Sequence, residues 1–431
     1  MTARKMKASG IEWIGEIPEE WKVGKVCRFY DIQLGKMLQP EMESNDDTYE
    51  YYLCAANVGK NELKLDSIKQ MWMSPEEKES LLVRKGDMLV VEGGDIASCD
   101  IVSHEIGNVY FQNSLHRVRA TANDDIRILK YLLWVAKSEG HIDLICNKAT
   151  IAHFSKDKFS SLQISLPPLP EQRRIADFLD RKCAEIDRVV AETEKTIEEY
   201  KVLRQSIITE AVTKGVRGKR PMKDSGIEWI GEIPEEWEVA LLKYSISWKS
   251  EKGAPDAQVL SLYRDYGVIP KDSRDDNHNV TSLDTSGYKV VDVGDFVINK
   301  MKAWQGSMAI SKYRGIVSPA YHVCVINNSN INKQYFHHLL RNQLYLPEYL
   351  RLSSGMRIGQ WDLGFDDFKN LPFILPNEEE QQEIVEYIDR KCAEIDRLVA
   401  AKQDLLAELA TYKKSVIYEF VTGKKEVPEC L

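Results

Sequence analysis

EQRRIADFLDRKCAEIDRVVA, residues 171–191, returns as EQQEIVEYIDRKCAEIDRLVA at residues 380–400, an offset of 380 − 171 = 209. From Glu171 onward apolar residues fall at Ile175, Leu179, Ile186, Val190, Ile197, Tyr200, Leu203 and Ile207, mostly three or four apart, with charged residues between them. That is the period of a helix with one apolar face. The second copy carries the same stripe at Ile384, Ile388, Ile395, Val399, Leu406, Leu409, Val416 and Phe420. Pro167, Pro168 and Pro170 before the first copy, and Pro376 before the second, stand where a missing N–H breaks no helix bond. Glycine and basic residues stop each helix, in KGVRGKR from Lys214 and GKK from Gly423. A helix of about forty residues is roughly 60 Å long, more than one compact domain covers. The two stripes are therefore expected to bury against each other as a coiled coil, with globular regions at its ends. The rival arrangement has each helix packing only on its own domain.

A second repeat opens each half. SGIEWIGEIPEEW at residues 9–21 recurs letter for letter at 225–237, an offset of 225 − 9 = 216. The match extends back to Met6 and Met222, differing only at Ala8 and Asp224. Between these markers the letters diverge, but VRKGDMLVV around Gly86 and Asp87 aligns with VDVGDFVIN around Gly294 and Asp295. Each GD reads as a turn feeding an apolar strand. Further on, HFSKDKFSSLQISLPPLP and QWDLGFDDFKNLPFILP align Phe159 with Phe368 and Pro167 with Pro376. The variable regions run from Lys22 to about Gln163 and from Glu238 to about Asn370. In them β-rich runs such as DMLVVE, NVYFQNSLHRVRA, DFVINK and IVSPAYHVCVIN alternate with helical runs such as DIRILKYLLWVAKS and NKQYFHHLLRNQLYL, the pattern of mixed α/β domains. The expected division is a first globular domain at 1–165, a long helix at 166–216, a second globular domain at 217–374, a second long helix at 375–423 and a tail at 424–431.

With 431 residues the chain suits two or three domains. Its 43% hydrophobic and 29% charged content is that of a soluble protein, and no apolar run nears the roughly 20 residues that cross a bilayer. The start, MTARKMKASG, has no apolar segment behind its basic residues, so a secretory leader is not expected and the cytosol is. Eight cysteines lie far apart without a CxxC pair, and Cys183 and Cys392 hold equivalent places in the repeated helices, which favours reduced, packed thiols. The sequence contains no GxxxxGK[ST] phosphate loop, GxSxG elbow or HExxH helix. Its histidines show no metal spacing, and adjacent His337 and His338 point to different sides of a helix. LPPLPE at Leu166 lacks the neighbours of a base-gripping methyltransferase loop, and Asp367-Phe368-Lys369 is a triplet that 67 acidic residues generate by accident. A net charge of −9 gives no global nucleic-acid footprint, so DNA contact would need a local basic groove or a basic partner.

Taken together, the opening motif, the variable stretch with its GD turn, the PLPEQ boundary and the RKCAEIDR helix resemble the specificity subunit of bacterial type I restriction-modification enzymes over nearly the whole chain. The resemblance implies an α+β fold: two mixed α/β target recognition domains separated by two long helices that form an antiparallel coiled coil, with an internal pseudo-twofold repeat. It implies that each recognition domain reads half of a split DNA sequence, while the helices set the spacer and seat two methyltransferase subunits. Restriction and translocase subunits would complete the complex. The chain itself would be non-catalytic and cofactor-free, S-adenosylmethionine, Mg and ATP belonging to its partners. The partners implied are thus double-stranded DNA and these subunits, in the cytoplasm and away from membranes. Duplicated halves also suit a ligand with two similar ends, and DNA half-sites about one turn, roughly 34 Å, apart fall within the span of such helices. The rival from another class is a duplicated coiled-coil protein–protein scaffold without DNA reading.

Base edges call for Arg and Lys toward guanine, Asn and Gln toward adenine, and phosphates for Lys, Arg, Ser, Thr or backbone amides. In the second head these criteria select Lys300, Lys302, Trp304 and Gln305 in NKMKAWQGS, and Arg357, Gln360 and Trp361 in SGMRIGQWD, with Arg264 and Tyr266 in LYRDYG as a weaker choice. In the first head the aligned segments are EGGDIAS and CNKATIAHFS, the latter with Asn147, Lys148, Thr150 and His153, joined by Gln112, Asn113 and Arg117 from YFQNSLHRVR. Packing competes for Trp304 and Trp361, a place on a solvated strand face for Arg117, and a structural role for His153. Trp13, Trp21, Trp229 and Trp237, in the part that does not vary, are assigned to packing.

Overall fold

The computed structural model describes residues 4–59, 63–121, 124–146, 153–254, 256–264, 266–274, 284–355 and 361–428. The central helix spans Leu169–Lys214 and the distal helix Glu378–Val421. Both take part in both compact units: the first unit comprises Met1–Thr193 with Asp404–Leu431, and the second Glu194–Gln403. Inside the first unit the ring of Phe178 packs 4.4 Å from that of Phe420, and the Lys413 ammonium lies 2.6 Å from Asp187. Inside the second, Arg204 approaches Asp396 at 3.8 Å, and Ala211 and Val212 share a core with Ile384 and Ile388. As numbering rises along one helix it falls along the other, so the paired segments are antiparallel in each unit. Ile175, Leu179, Ile186 and Ile197, with Ile384, Ile388, Ile395, Val416 and Phe420, are buried as the stripe requires. Leu203 departs from it at 47% exposure, and every residue from 201 to 206 is exposed.

Each unit contains a four-stranded antiparallel sheet of the same order. In the first the strands run Tyr30–Leu34, Leu115–Ala120, Met88–Val91, Cys99–Ile101; in the second, Ile246–Lys249, Tyr321–Ile326, Phe296–Asn299, Met308–Ile310. The duplication therefore continues through regions whose letters no longer reveal it. A helix covers each sheet, Ile126–Ser138 capped by the Asp125 carboxylate and Lys333–Leu340 capped by the Asn332 amide oxygen, each side chain accepting from otherwise orphaned backbone N–H groups. What differs is the addition: a three-stranded sheet of Lys69–Met73, Thr48–Leu53 and Val109–Phe111 in the first unit, and the ribbons Leu260–Tyr263 with Gly267–Pro270 and Lys289–Val291 with Gly315–Val317 in the second.

The repeated letters mark the joints of this plan. In the two GD turns Gly86 and Gly294 have φ of 89° and 92°, a left-handed conformation that favours glycine. The following aspartates are buried and doubly held. Asp87 accepts from the Arg84 N–H and pairs with Arg119, and Asp295 accepts from the Asp292 N–H and pairs with Lys249. The Trp21 indole donates to Glu171 at 3.2 Å and the Trp237 indole to Glu380 at 3.0 Å, with Arg4 and Arg220 bridging the same carboxylates. Gln172 and Gln381, next in line, donate to the Pro167 and Pro376 carbonyls and accept from the N–H groups of Asp125 and Asn332. The opening motif, the start of the long helix and the cap of the covering helix are thereby fastened together in each unit. Trp13 and Trp229 are half-buried against the same cores. Among the described residues no helix is long and apolar enough to cross a membrane.

Candidate nucleic-acid interface

In the second unit the strand Phe296–Asn299 runs out into NKMKAWQGS, which closes in a short turn at Ala303–Gln305 and the left-handed Gly306. The segment beginning at Trp361 returns beside it. The Leu363 N–H donates to the Lys300 carbonyl at 3.0 Å, the Lys300 ammonium lies 3.0 Å from Asp362, and the rings of Trp304 and Trp361 meet edge-on at 5.2 Å. The structure thus joins Lys300, Lys302, Trp304, Gln305 and Trp361, selected as two separate stretches, into one cluster. Lys302 is exposed, and the two tryptophans are half-buried, so each both packs and shows an edge to solvent. Arg357 and Gln360 lie outside the described residues.

Sequence reasoning missed four neighbours, Trp248, His322, Phe365 and Lys289. Trp248, 52% exposed, packs edge-on to His322 and against Phe365, with the Lys289 ammonium 5.4 Å from its ring. Lys289 itself is buried and donates to the Tyr321 carbonyl. Burial, and then the nearby Lys300 and Lys252, depress its proton affinity below that of an ordinary lysine. The letters ISWK alternate apolar and polar as a half-buried strand's do, so nothing in them set Trp248 apart as exposed. Arg264 and Tyr266 line a different cavity, of about 540 Å³, with Lys312, Tyr313, His338 and Arg341.

The first unit repeats the arrangement with other side chains. Strand Met88–Val91 runs out into EGGDIAS, and the return segment pairs with it through a bridge between Gly93 and His153 and a 2.8 Å bond from the Phe154 N–H to the Glu92 carbonyl. His153 is exposed. Asn147, Lys148 and Thr150 lie outside the described residues. Gln112 and Asn113 form the half-buried turn before strand Leu115–Ala120, their N–H groups donating to the carbonyls of Leu53 and Lys36. Beside them runs a loop from Gly35, where a Cβ would lie 2.3 Å from the Gln112 oxygen, so only glycine allows the approach. That loop holds Met37, Leu38 and Met42 exposed, a group the sequence reading passed over because isolated exposed apolar residues are common.

Arg117 is corrected. Expected on a reading surface, it is 4% exposed. Its guanidinium donates to the Ser80 carbonyl at 2.8 Å and the Leu82 carbonyl at 3.2 Å, contacts Gln33, and lies over the Phe111 ring. The cation closes the C-terminal end of the helix Pro75–Leu81, where carbonyls lack intrahelical partners. In this conformation its donors face the protein and not a base.

With this geometry in view, comparison with known proteins gives one answer. Residues 18–199 and 234–408 match the family described as Type I restriction modification DNA specificity domain. The chain belongs to this DNA specificity family. Similar proteins include the MjaVIII specificity subunit of Methanocaldococcus jannaschii, 24% identical over 95% of this chain and 94% of that one, and the EcoKI specificity subunit of Escherichia coli K12, 22% identical over 95% and 90%. Among solved structures, a chain from a study of complex assembly and conformational transition of the type I R-M system aligns with a TM-score of 0.69 at 15% identity, covering 95% of this chain and 99% of that one. The HsdS subunit from Thermoanaerobacter tengcongensis aligns at 0.53 and 17%, over 95% and 98%. At these identities the structures establish the fold. The role of a specificity-family chain is to confer DNA sequence specificity, and the two matched segments fall on the two halves of the internal repeat.

Proposed function

We propose that this chain is the DNA-reading, non-catalytic subunit of a type I restriction-modification complex, each unit reading one half of a bipartite site. The observation that carries the reading is the pair of equivalent strand exits. The same backbone arrangement holds Lys300, Lys302, Trp304, Gln305 and Trp361 in one unit and EGGDIAS with His153 in the other. A shared scaffold presenting unlike donors and acceptors is what two different half-sites require. From the sequence alone, Arg357, Gln360, Asn147, Lys148 and Thr150 are further candidate DNA contacts, joined by Gln112 and Asn113 for the first half-site and by Arg264 and Tyr266 as a secondary contact for the second.

The paired helices set the spacer and dock two methyltransferase subunits. Supporting this, Val202, Leu203, Leu398 and Tyr412 expose apolar surface on the two helices, the character of an interface core. Restriction and translocase subunits join this assembly in the cytoplasm, and S-adenosylmethionine, Mg and ATP serve the partners. With a net charge of −9 the chain gains much of its DNA affinity from the methyltransferase subunits, because phosphate attraction dominates nonspecific binding.

A gel shift of the chain with its methyltransferase subunits, against excess random-sequence competitor, tests this. A retained complex on DNA carrying one bipartite site supports the reading. Equal displacement by the random competitor contradicts it and favours a protein–protein scaffold.

A further inference from the structure

Two histidines occupy the same position in both units. His116 faces Val90 across the pairing of Leu115–Ala120 with Met88–Val91, and His322 faces Ile298 across that of Tyr321–Ile326 with Phe296–Asn299. Nε2 of His116 lies 2.8 Å from the Phe154 carbonyl, and Nε2 of His322 lies 3.0 Å from the Leu363 carbonyl. A carbonyl oxygen only accepts, so Nε2 carries the proton in both rings and donates. The accepting residue is tied on its other side as well: the Phe154 N–H donates to Glu92 and the Leu363 N–H to Lys300. Each return segment is thus clamped between the strand it leaves and the ring on the neighbouring strand. The ring bond is the half of the clamp made by a side chain.

Packing alone does not account for a histidine here. His116 is fully buried, and Nδ1 has no protein hydrogen-bond partner in either ring. An apolar side chain would fill the same space without burying a polar nitrogen. Burial lowers the proton affinity of both rings, so the neutral tautomer that makes the clamp persists near pH 7. Close to each clamp stand candidate reading residues: His153 before Phe154, and Trp361 two residues before Leu363, with Lys300 on the other side of the bond.

We propose that His116 and His322 are positioning residues for DNA reading, each holding the return segment of its own unit at the strand exit so that the adjoining side chains meet one half-site. This rests on the reading of both units as DNA-specificity modules. A displaced root shifts all the contacts beyond it, so loss of the ring bond acts on selectivity within one unit and leaves the other unit untouched.

The test maps methylated adenines on a randomised DNA library, using the full chain assembled with its methyltransferase subunits. His322→Leu keeps apolar volume and removes the N–H; His322→Gln returns an amide N–H at similar reach; the same pair is made at His116. Expected for His322→Leu is a roughly tenfold or greater loss of discrimination at one half-site, the scale of a single mismatch, with the other half-site unchanged. His116→Leu should do the same at the opposite half-site, and each Gln variant should recover most of the discrimination. Wild-type selectivity in both Leu variants, equal relaxation of both half-sites by either one, or no difference between Leu and Gln overturns the positioning role. A wild-type map without a bipartite site would overturn the underlying two-module reading instead.

Discussion

The Trp237 indole and the Glu380 carboxylate meet across 143 positions of sequence, and the Glu380 side chain is fully buried. Its counterpart Glu171, met by Trp21, keeps 15% of its side chain exposed. Removing a donor from a buried charged acceptor costs more than removing one from a charge that water still reaches. Trp237→Phe is therefore expected to destabilise the chain by about 1–3 kcal/mol, and Trp21→Phe by less. Urea unfolding of both variants measures the difference; equal losses would contradict it. The packing of these tryptophans was legible because they sit in the unvarying motif, whereas their N–H partners were hidden by distance along the chain. Arg117 was misjudged for a related reason: a strand sequence does not state which of its faces another element will cover.

Histidine protonation gives a second expectation of this kind. His337 lies well below the ordinary histidine range, His338 falls to about 4, and His116 and His322 are also lowered, burial being the largest cause in each. A base whose folded value lies below its unfolded value binds protons first in the unfolded chain. Stability contributed by the neutral rings is thus present above about pH 6.5 and declines as pH falls toward the folded values. Thermal melts at constant ionic strength should show the midpoint dropping between pH 7 and 5. A flat or rising midpoint in that window would contradict this assignment.

The long helices were the most readable elements, because a stripe three or four residues apart with prolines before it and glycine after it has few alternative solutions. Burial along that stripe was less readable. Ile384 is fully buried with Val212, while Leu203 on the facing helix is 47% exposed. Ile384→Ala should cost about 2–5 kcal/mol and Leu203→Ala within about 0.5 kcal/mol. Denaturant midpoints decide between this and a uniformly buried seam, which would make both costly. The sheets illustrate the opposite case. DMLVVE and DFVINK announced strands, yet their neighbours come from Leu115–Ala120 and Tyr321–Ile326, pairings that no local pattern specifies. The three-stranded sheet peculiar to the first unit left no readable mark beyond β-rich composition.

Across the whole chain the duplication explains why the ends repeat and the middles do not. Trp21 with Glu171, Asp87 with Arg119 and His116 with Phe154 each have a counterpart at the same joint of the other unit, while the side chains beyond those joints are free to diverge. The candidate reading cluster was legible as composition, cations and amides with aromatics around glycines, but its assembly from residues 299–306 and 361–363 became visible only in three dimensions. Exchange of the material between the joints is the corresponding test. In a chain whose second variable region, residues 238–370, is replaced by a copy of the equivalent stretch of the first, residues 22–161, methylated-adenine mapping should retain one half-site and convert the other into its inverted repeat. A map in which the retained half-site also changes, or in which the original asymmetric site survives, would contradict the modular reading of DNA by the two units.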